Sequence, residues 1–373
     1  MRRRVEGAAQ VEVGDFAAFL RLRERWDELI ADNPLDAPFL RHDFTRLWIE
    51  NFASPEQLSV WTVRRGGHLS LALPLLKSTR LFRGLPARVW RAPVNVHACR
   101  FDLIAPARDL LDPRDLESLL DALMARRDVD VIELADVPCD GSLRLLFELA
   151  CARGLPTFAW PSMETPWIDL GAGEERLPTS SHVRANLRRR RKKLEALGPL
   201  TLQRCVGGSA LEALLEEGFQ IERQSWKGRE RTAIACSPRL RAFYSEWARS
   251  NALSGQLSLY FLRLGERAIA FHYGIASGQT YYLPKVGFDE ALGDCSPGQV
   301  LMDLVVRDLI QRGTTRFDFL GPSMAWKRDW TRQTRPHHWL YLFADTRRGR
   351  LLRWLKSLDV GALVGRGRGR GGR

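Results

Sequence analysis

The chain has 373 residues, of which 45% are hydrophobic and 27% charged, and it carries a formal net charge of +13. This length suits two domains, and this hydrophobic content excludes extensive disorder. No run of about 18 apolar residues occurs, and no apolar segment follows the basic residues 2–4, so we expect neither a transmembrane helix nor a secretory signal, and we expect a cytoplasmic protein. The positive charge favours an anionic partner, which leaves a nucleotide cofactor, nucleic acid and a membrane surface open.

The six cysteines and seven histidines are dispersed along the chain. There is no C-x-x-C pair and no H-E-x-x-H motif. This spacing argues against a structural zinc site, a disulfide framework and metal catalysis. We therefore expect no metal.

In the first half, helical periodicity predicts three helices, over residues 15–30, 39–52 and 113–127. Two strand-like segments, 58–63 and 69–76, enclose a turn with Gly66 and Gly67 and predict a hairpin. A short apolar strand is predicted over residues 129–134.

The second half repeats this plan. The predicted elements are a helix, a hairpin, a strand, a helix and a last strand, at residues 243–250, 257–276, 279–288, 297–312 and 316–320. We interpret the repeat as an internal duplication; the alternative is that two unrelated domains share one plan by chance.

The predicted fold class is α/β (α+β), with two tandem domains that each have a mixed twisted sheet flanked by helices. We place these domains at residues 1–172 and 173–346. Residues 347–373 are basic and end in an Arg-Gly tract, which predicts a disordered tail. Such a tail either binds nucleic acid weakly or only increases solubility.

A turn and helix start at residues 296–302 offer a candidate phosphate site. Ser296 suits an N-cap, Pro297 suits the first helical position, and Gly298 permits close approach of another group. Free N–H groups at a helix N-terminus bind phosphate, and coenzyme A carries several phosphates. The alternative is an ordinary helix cap.

Residues 181–195 are predicted to form a helix, within which residues 184–193 carry seven positive charges and no acidic residue. With Val183, Leu187 and Leu194 on one face, the segment predicts a helix whose other faces are cationic. It either binds an anion, such as cofactor phosphates, an RNA backbone or an acidic glycan, or is a solvated surface.

Three further positions carry candidate chemistry. Trp226 and Lys227 follow a helix and suit either a pocket wall with a charge or a helix C-terminus. Asp318 lies in an apolar strand, opposite in direction to Phe317 and Phe319, where it suits a general base or a structural acceptor. The cluster of Trp326, Lys327, Arg328, Asp329 and Trp330 suits a substrate wall or a short packed helix.

An ordered set of motifs over residues 180–345 resembles the GNAT acyltransferase superfamily, in the branch grouped with cellulose-biosynthesis acetyltransferases of the CelD/BcsL kind. The set consists of Asn186, Leu187, Arg188, Arg189 and Arg190, with Lys193, Leu194 and Glu195; Ser225, Trp226, Lys227 and Gly228; Phe243 and Tyr244; Ser296, Pro297 and Gly298; Phe317, Asp318 and Phe319; and Trp326, Lys327, Arg328, Asp329 and Trp330. The duplicated plan also resembles the tandem fold of Fem-type peptidyltransferases. The superfamily's usual Q/R-x-x-G-x-G/A phosphate loop is absent, and Ser296 to Val300 replace it.

This resemblance implies an enzyme that transfers an acyl group, with acetyl favoured, from coenzyme A to an amine or hydroxyl of a small metabolite, a sugar or a polysaccharide precursor. The implied catalytic residues are Asp318, Lys327 and Lys227. The implied cofactor-binding residues are Ser296, Gly298, Gln299, Val300 and Arg188, and the implied substrate-binding residues are Trp226, Trp326 and Arg328. Two alternatives remain: a Fem-like transferase that uses aminoacyl-tRNA, and a non-catalytic binding module.

Overall fold

The computed structural model describes residues 8–31, 33, 37–174 and 180–368, with side chains up to residue 358. The chain divides into two compact units. Unit 1 contains the chain up to Met163 and from Pro336 onward, and unit 2 is Glu164–Arg335. The first boundary lies nine residues before the predicted domain boundary at residue 172. Residues 175–179, shortly after that predicted boundary, lie outside the described residues.

Twelve strands and thirteen helices are described. The strands are β1 (Ala9–Gly14), β2 (Leu58–Arg65), β3 (His68–Phe82), β4 (Leu85–Arg91), β5 (Val131–Pro138), β6 (Thr157–Asp169), β7 (Leu200–Cys205), β8 (Leu259–Leu264), β9 (Arg267–Ser277), β10 (Thr280–Phe288), β11 (Arg316–Asp318) and β12 (Thr334–Phe343). The helices are α1 (Phe16–Leu20), α2 (Arg23–Ile30), α3 (Ala37–Leu40), α4 (His42–Phe52), α5 (Pro113–Met124), α6 (Ser142–Ala152), α7 (Ser181–Glu195), α8 (Leu211–Arg223), α9 (Trp226–Arg229), α10 (Pro238–Leu253), α11 (Pro297–Gln311), α12 (Ala325–Arg328) and α13 (Arg347–Arg368).

The two units repeat one topology. In unit 1, β1 to β4 form an antiparallel meander, β4 pairs with β5 in parallel, and β5 pairs antiparallel with β12. In unit 2, β7 to β10 form the same meander, β10 pairs with β11 in parallel, and β11 pairs antiparallel with β6. A parallel pair needs a crossover, and α5 and α11 supply it. This confirms the predicted fold class and agrees with a duplicated plan.

The crossover helices form because apolar residues recur on one face. Leu116, Leu119, Leu120 and Leu123 of α5 are buried in the core of unit 1. Val300, Leu301, Val305 and Leu309 of α11 are buried in the core of unit 2. The buried residues recur at i, i+3, i+4 and i+7 in α5 and at i, i+1, i+5 and i+9 in α11, which is the pattern of an amphipathic helix packed on a sheet. Burial of this face fixes the position of each crossover helix on its sheet.

The C-terminal segment differs from the sequence-based prediction. Residues 347–368 form helix α13 where a disordered tail was predicted, and residues 369–373 lie outside the described part. Leu352 is fully buried against Phe343 and Tyr341. The prediction weighed the Arg-Gly composition of the last residues and overlooked the apolar residues before them. Burial of Leu352 stabilises a helix that composition alone does not indicate.

Candidate active site

The parallel strands β10 and β11 separate after a short pairing. Their ladder joins Thr280 to Arg316, Tyr281 to Phe317 and Tyr282 to Asp318. β11 ends there, whereas β10 continues to Phe288 and keeps β9 as its neighbour after an irregularity between Tyr282 and Lys285. We call the space beside residues 283–288 of β10 the fork. A fork between parallel strands gives a ligand access to backbone groups that a continued ladder would occupy.

Helix α11 begins at the same end of β10. A Cβ atom on Gly298 would lie 3.3 Å from Cδ1 of Phe288, the last residue of β10. Ser296 has left-handed torsion angles (φ 46°, ψ 60°), which turn the chain from the segment Glu290–Cys295 into the helix. The first turn of α11 contains no acidic residue. The positive end of the helix dipole therefore faces the fork end without a carboxylate of its own turn to neutralise it.

The backbone of this turn offers fewer donors than the sequence predicted. The N–H groups of Gln299 and Val300 both donate to the Ser296 carbonyl, at 3.0 and 3.2 Å. Pro297 has no N–H group, and the Ser296 N–H donates to the Gly293 carbonyl at 2.9 Å. Among the described residues, this leaves the Gly298 amide as the donor of this turn with no hydrogen-bond partner. A phosphate at this position must therefore receive further contacts from other elements.

Two of the predicted cofactor-binding side chains are engaged in the core. Oε1 of Gln299 accepts from the indole N–H of Trp330 at 2.8 Å. Val300 is buried among apolar neighbours of unit 2. These contacts fix the start of α11 against the core. Any direct contribution of Gln299 to a ligand is then limited to its amide nitrogen.

Helix α7 carries the predicted cationic face, and its bounds match the predicted helix. The Ser180 hydroxyl accepts from the Val183 N–H at 3.2 Å and begins the helix. Leu187 and Leu194 are buried in the core of unit 2. Arg188 is exposed and lies on the opposite side, at a groove along the helix.

Lys227 holds two elements together. Its Nζ atom lies 2.8 Å from Oε1 of Glu222 and donates to the Val286 carbonyl of β10 at 2.7 Å. The Glu222 side chain is completely buried, and its other oxygen accepts from the Ile234 N–H at 2.8 Å. Lys227 therefore satisfies a buried carboxylate and anchors the β10 edge of the fork.

Trp226 lies beside the turn that precedes α11. Its backbone N–H donates to Oε1 of Glu290 at 2.7 Å, and Arg229 forms an ion pair with the same carboxylate at 2.6 Å. The Arg229 side chain holds the pKa of Glu290 below its usual value. Trp226 as a whole residue remains 40% exposed. The structure thus places a large, accessible aromatic surface close to the predicted cofactor turn.

Asp318 lies at the point where β10 and β11 separate. The residue is 3% exposed, and its Oδ1 accepts from the Leu320 N–H at 2.9 Å. Phe317 and Phe319 pack together in the core of unit 2, as strand alternation predicts for the two neighbours of Asp318. A buried carboxylate at a strand end beside the fork suits a group that takes up a proton.

Lys327 stabilises the turn that follows Asp318. Its Nζ donates to the carbonyls of Leu320 and Pro322, at 2.6 and 3.0 Å. Leu320 has a left-handed φ of 52°, which is uncommon for a branched side chain. The buried ammonium group of Lys327 therefore holds the backbone that positions Asp318.

The other two predicted substrate residues follow on α12. The Trp326 ring meets Phe319 edge-to-face at 5.5 Å, so one side of it is packed. Arg328 is exposed, and its guanidinium lies 3.5 Å from the Ser323 carbonyl. Trp326 is thus partly fixed, whereas Arg328 reaches into solvent.

Unit 1 carries carboxylates at the position equivalent to the start of α11. Asp112 caps α5 by accepting from the Arg114 N–H at 3.0 Å, and Arg114 lowers the pKa of Asp112 to about 2. Asp115, in the first turn, pairs with the buried Arg65 at 2.6 Å. The helix N-terminus that would receive an anion in unit 1 is therefore already occupied by the chain's own carboxylates.

Sequence reasoning missed Glu222 and Glu290, which position Lys227 and Trp226. Glu222 had a signal, because it is an acidic residue in the apolar run of α8 and precedes Lys227 by five residues. Glu290 had none, since its partners are more than 60 residues away in sequence. In the described part of the chain, no group of three or more His, Cys, Asp or Glu side chains is arranged to hold a metal ion. None of the described helices has the length and hydropathy that would let it cross a membrane.

Residues 181–328 match the family model described as an acetyltransferase (GNAT) domain. The matched residues include the fork, α11, α7 and the Asp318 turn. Residues 181–328 of unit 2 are therefore similar to a GNAT acetyltransferase domain, and the chain is an acyltransferase, as the motifs predicted. A search of curated proteins finds no relative with significant similarity.

Solved structures share the two-unit fold at low identity. The C-terminal domain of a putative lysylphosphatidylglycerol synthetase from Agrobacterium fabrum is 13% identical, with a TM-score of 0.55, and the match covers 92% of this chain and 97% of that one. L-PGS from Bacillus licheniformis is 12% identical, with a TM-score of 0.53 and coverage of 95% and 99%. FemX is 12% identical, with a TM-score of 0.50 and coverage of 77% and 88%. At these identities the similarity concerns the fold alone.

Proposed function

We propose that unit 2 transfers an acyl group, with acetyl favoured, from coenzyme A to an amine or hydroxyl group of a small metabolite, a sugar or a polysaccharide precursor. The resemblance to cellulose-biosynthesis acetyltransferases supports a saccharide acceptor. The observation that carries the proposal is the fork, which lies next to a helix N-terminus without acidic residues. An extended thioester arm fits along the free edge of a strand, and a diphosphate fits the positive end of a helix.

Asp318 is the proposed base. Attack of an acceptor nitrogen or oxygen on the thioester carbonyl forms the new C–N or C–O bond and breaks the C–S bond. The acceptor proton passes to the Asp318 carboxylate and then to the departing thiolate, so that atoms and charge balance. The position of Asp318 at the separation point of β10 and β11 supports this role. Backbone N–H groups along the free edge of β10 would stabilise the oxyanion.

Lys227 and Lys327 act through position in this proposal. Lys227 holds the Val286 carbonyl on one side of the fork, and Lys327 holds the turn after Asp318 on the other. Trp226, Trp326 and Arg328 are the proposed acceptor contacts, because each presents aromatic or cationic surface on segments next to the fork. Ser296 and Gly298 shape the diphosphate turn, with Gln299 and Val300 fixing it to the core.

The test is direct detection of donor binding and transfer. Freshly purified protein is analysed by native mass spectrometry, and acetyl-CoA is then titrated by calorimetry. We expect a 1:1 complex with acetyl-CoA and release of free thiol in the presence of an acceptor panel of amines and amino sugars. Absence of any acyl-CoA binding, together with no shift of the melting temperature, would favour a non-catalytic binding module.

A second candidate function is transfer of an aminoacyl group from tRNA, as the Fem-type resemblance allows. The cationic face of α7 favours it, because a row of exposed Arg and Lys side chains binds RNA phosphates. Binding of tRNA that weakens steeply with salt would support this alternative. No RNA binding at low salt would exclude it.

A further inference from the structure

One face of α7 combines four exposed cations around a groove. Arg188, Arg189, Lys192 and Lys193 line this groove of about 580 Å³, together with Ala185 and Ala196. Arg191 of the same helix pairs with a carboxylate, at 2.8 Å from Glu195. Within the described ranges, the four groove cations have no hydrogen-bond or ion-pair partner. Four unpaired like charges within two helical turns destabilise the helix unless an anion binds there.

The strand registers place this groove at the same end of unit 2 as the start of α11. β7 follows α7 and begins with Leu200 opposite Leu264. Leu264 is opposite Arg267, and Arg267 forms an ion pair with Asp289, which directly precedes the segment Glu290–Cys295. The C-terminal half of α7 therefore lies at the N-terminal end of α11. α7 also packs against both α11 and the segment Glu290–Cys295.

The start of α11 needs additional donors. As described above, the Gly298 amide is the donor of that turn left without a partner among the described residues. A single amide and a helix dipole do not neutralise a ligand with a diphosphate and a further phosphate group. Arginine and lysine side chains supply strong charge-assisted hydrogen bonds to phosphate oxygens. The groove on α7 provides such side chains at the correct end of the domain.

We infer that the groove cations of α7 bind the 3′-phosphate of coenzyme A. This inference rests on the proposed function of unit 2. In this role the four groove cations recognise the nucleotide end of the acyl-CoA donor. The opposite face of the helix is buried against the core, and the cations therefore face outward, where a ligand can reach them.

Dephospho-CoA is the discriminating ligand, because it lacks the 3′-phosphate and keeps the diphosphate and pantetheine arm. We expect wild-type protein to bind CoA at least about tenfold more tightly than dephospho-CoA, since one or two charge-assisted hydrogen bonds are lost. Equal affinities for the two ligands would overturn the inference. Transfer of the acyl group from both donors would, in that case, leave the proposed function intact.

Charge-removal variants locate the contact. Two double variants, Arg188→Gln/Lys192→Gln and Arg189→Gln/Lys193→Gln, keep helix propensity and remove two charges each. At least one of them should raise the Kd for CoA about tenfold and leave the Kd for dephospho-CoA within twofold of wild type. The matched control is Arg21→Gln/Arg25→Gln on exposed positions of unit 1, with the same change in net charge and no expected effect.

The remaining outcomes are also decisive. An equal loss of affinity for CoA and dephospho-CoA in the α7 variants would contradict a specific phosphate contact. Loss of binding to a tRNA mixture in these variants, with CoA affinity unchanged, would assign the groove to RNA. Failure of wild-type protein to bind either nucleotide would overturn both this inference and the proposed function. Circular dichroism of each variant checks that the helix is intact.

Discussion

Substitution of Lys227 by methionine distinguishes a structural lysine from a chemical one. Lys227→Met keeps the aliphatic stem and removes the ammonium group that neutralises Glu222. The Glu222 side chain is completely buried, so the variant leaves its carboxylate with the Ile234 N–H as its remaining hydrogen-bond donor among the described residues. The Val286 carbonyl on the fork edge loses its donor as well.

The variant is expected to lose about 3 kcal/mol of unfolding free energy at pH 7. This value is at the lower end of the range for removal of one partner of a buried ion pair, because Lys227 itself is partly exposed. Most of this cost is the desolvation of a carboxylate that has no ammonium partner in the variant.

Urea unfolding followed by circular dichroism and tryptophan fluorescence measures the effect. A loss of about 3 kcal/mol moves the midpoint by about 1 M, for a slope of about 3 kcal/mol/M. The double variant Glu222→Gln/Lys227→Met is the control and should recover part of the loss, because it removes the buried charge. An unchanged midpoint combined with abolished turnover would refute this reasoning and return Lys227 to a direct role in catalysis.

Four other outcomes are expected. Asp318→Asn should lower kcat by about 10²-fold or more with KM nearly unchanged, and full turnover would remove Asp318 from the mechanism. His272 is buried in β9, and burial lowers its pKa to about 3. The free energy of unfolding should therefore fall by about 1.4 kcal/mol for each pH unit below 6.5. His272→Gln should remove this pH dependence in unfolding titrations, and the same pH dependence in variant and wild type would contradict the burial effect. Gly218→Ala places a Cβ atom 2.6 Å from Cε2 of Phe271 and should cost about 1–3 kcal/mol, seen as a lower melting temperature. Asp112→Ala should cost about 1 kcal/mol through loss of the α5 cap, with the Kd for acetyl-CoA unchanged.

Elements with local signals were predictable from the sequence. The bounds of α7 were predicted correctly, and α11 ends one residue before its predicted end. Both helices have an apolar face, a start signal and a clear break. β11 was predicted to run to residue 320, but it ends at Asp318 because Leu320 and Gly321 adopt left-handed torsion angles. That bend places Asp318 at the edge of the fork, and the alternating pattern gave no sign of it.

Elements that depend on distant partners were not predictable in the same way. β6 and β12 were both missed, because each contains prolines and mixed polar residues that lower strand propensity. They are strands because β6 pairs with β11 and β12 pairs with β5, at separations of more than 140 residues. The residues of the candidate site were found by type and spacing. Their buried partners, Glu222 above all, required the fold.

The two units show how a duplicated fold can keep one site per chain. Both contain a strand, a crossover helix and a parallel strand whose ladder is three residue pairs long. They differ at the first turn of the crossover helix: carboxylates occupy it in unit 1, whereas unit 2 has a left-handed serine and an amide without a partner in the described chain. A carboxylate at a helix N-terminus satisfies the same N–H groups that a phosphate would use and repels the phosphate. Unit 1 is therefore expected to bind no donor, and calorimetry should give a stoichiometry of one acetyl-CoA per chain; a value of two would show that the α5 carboxylates do not block the second position.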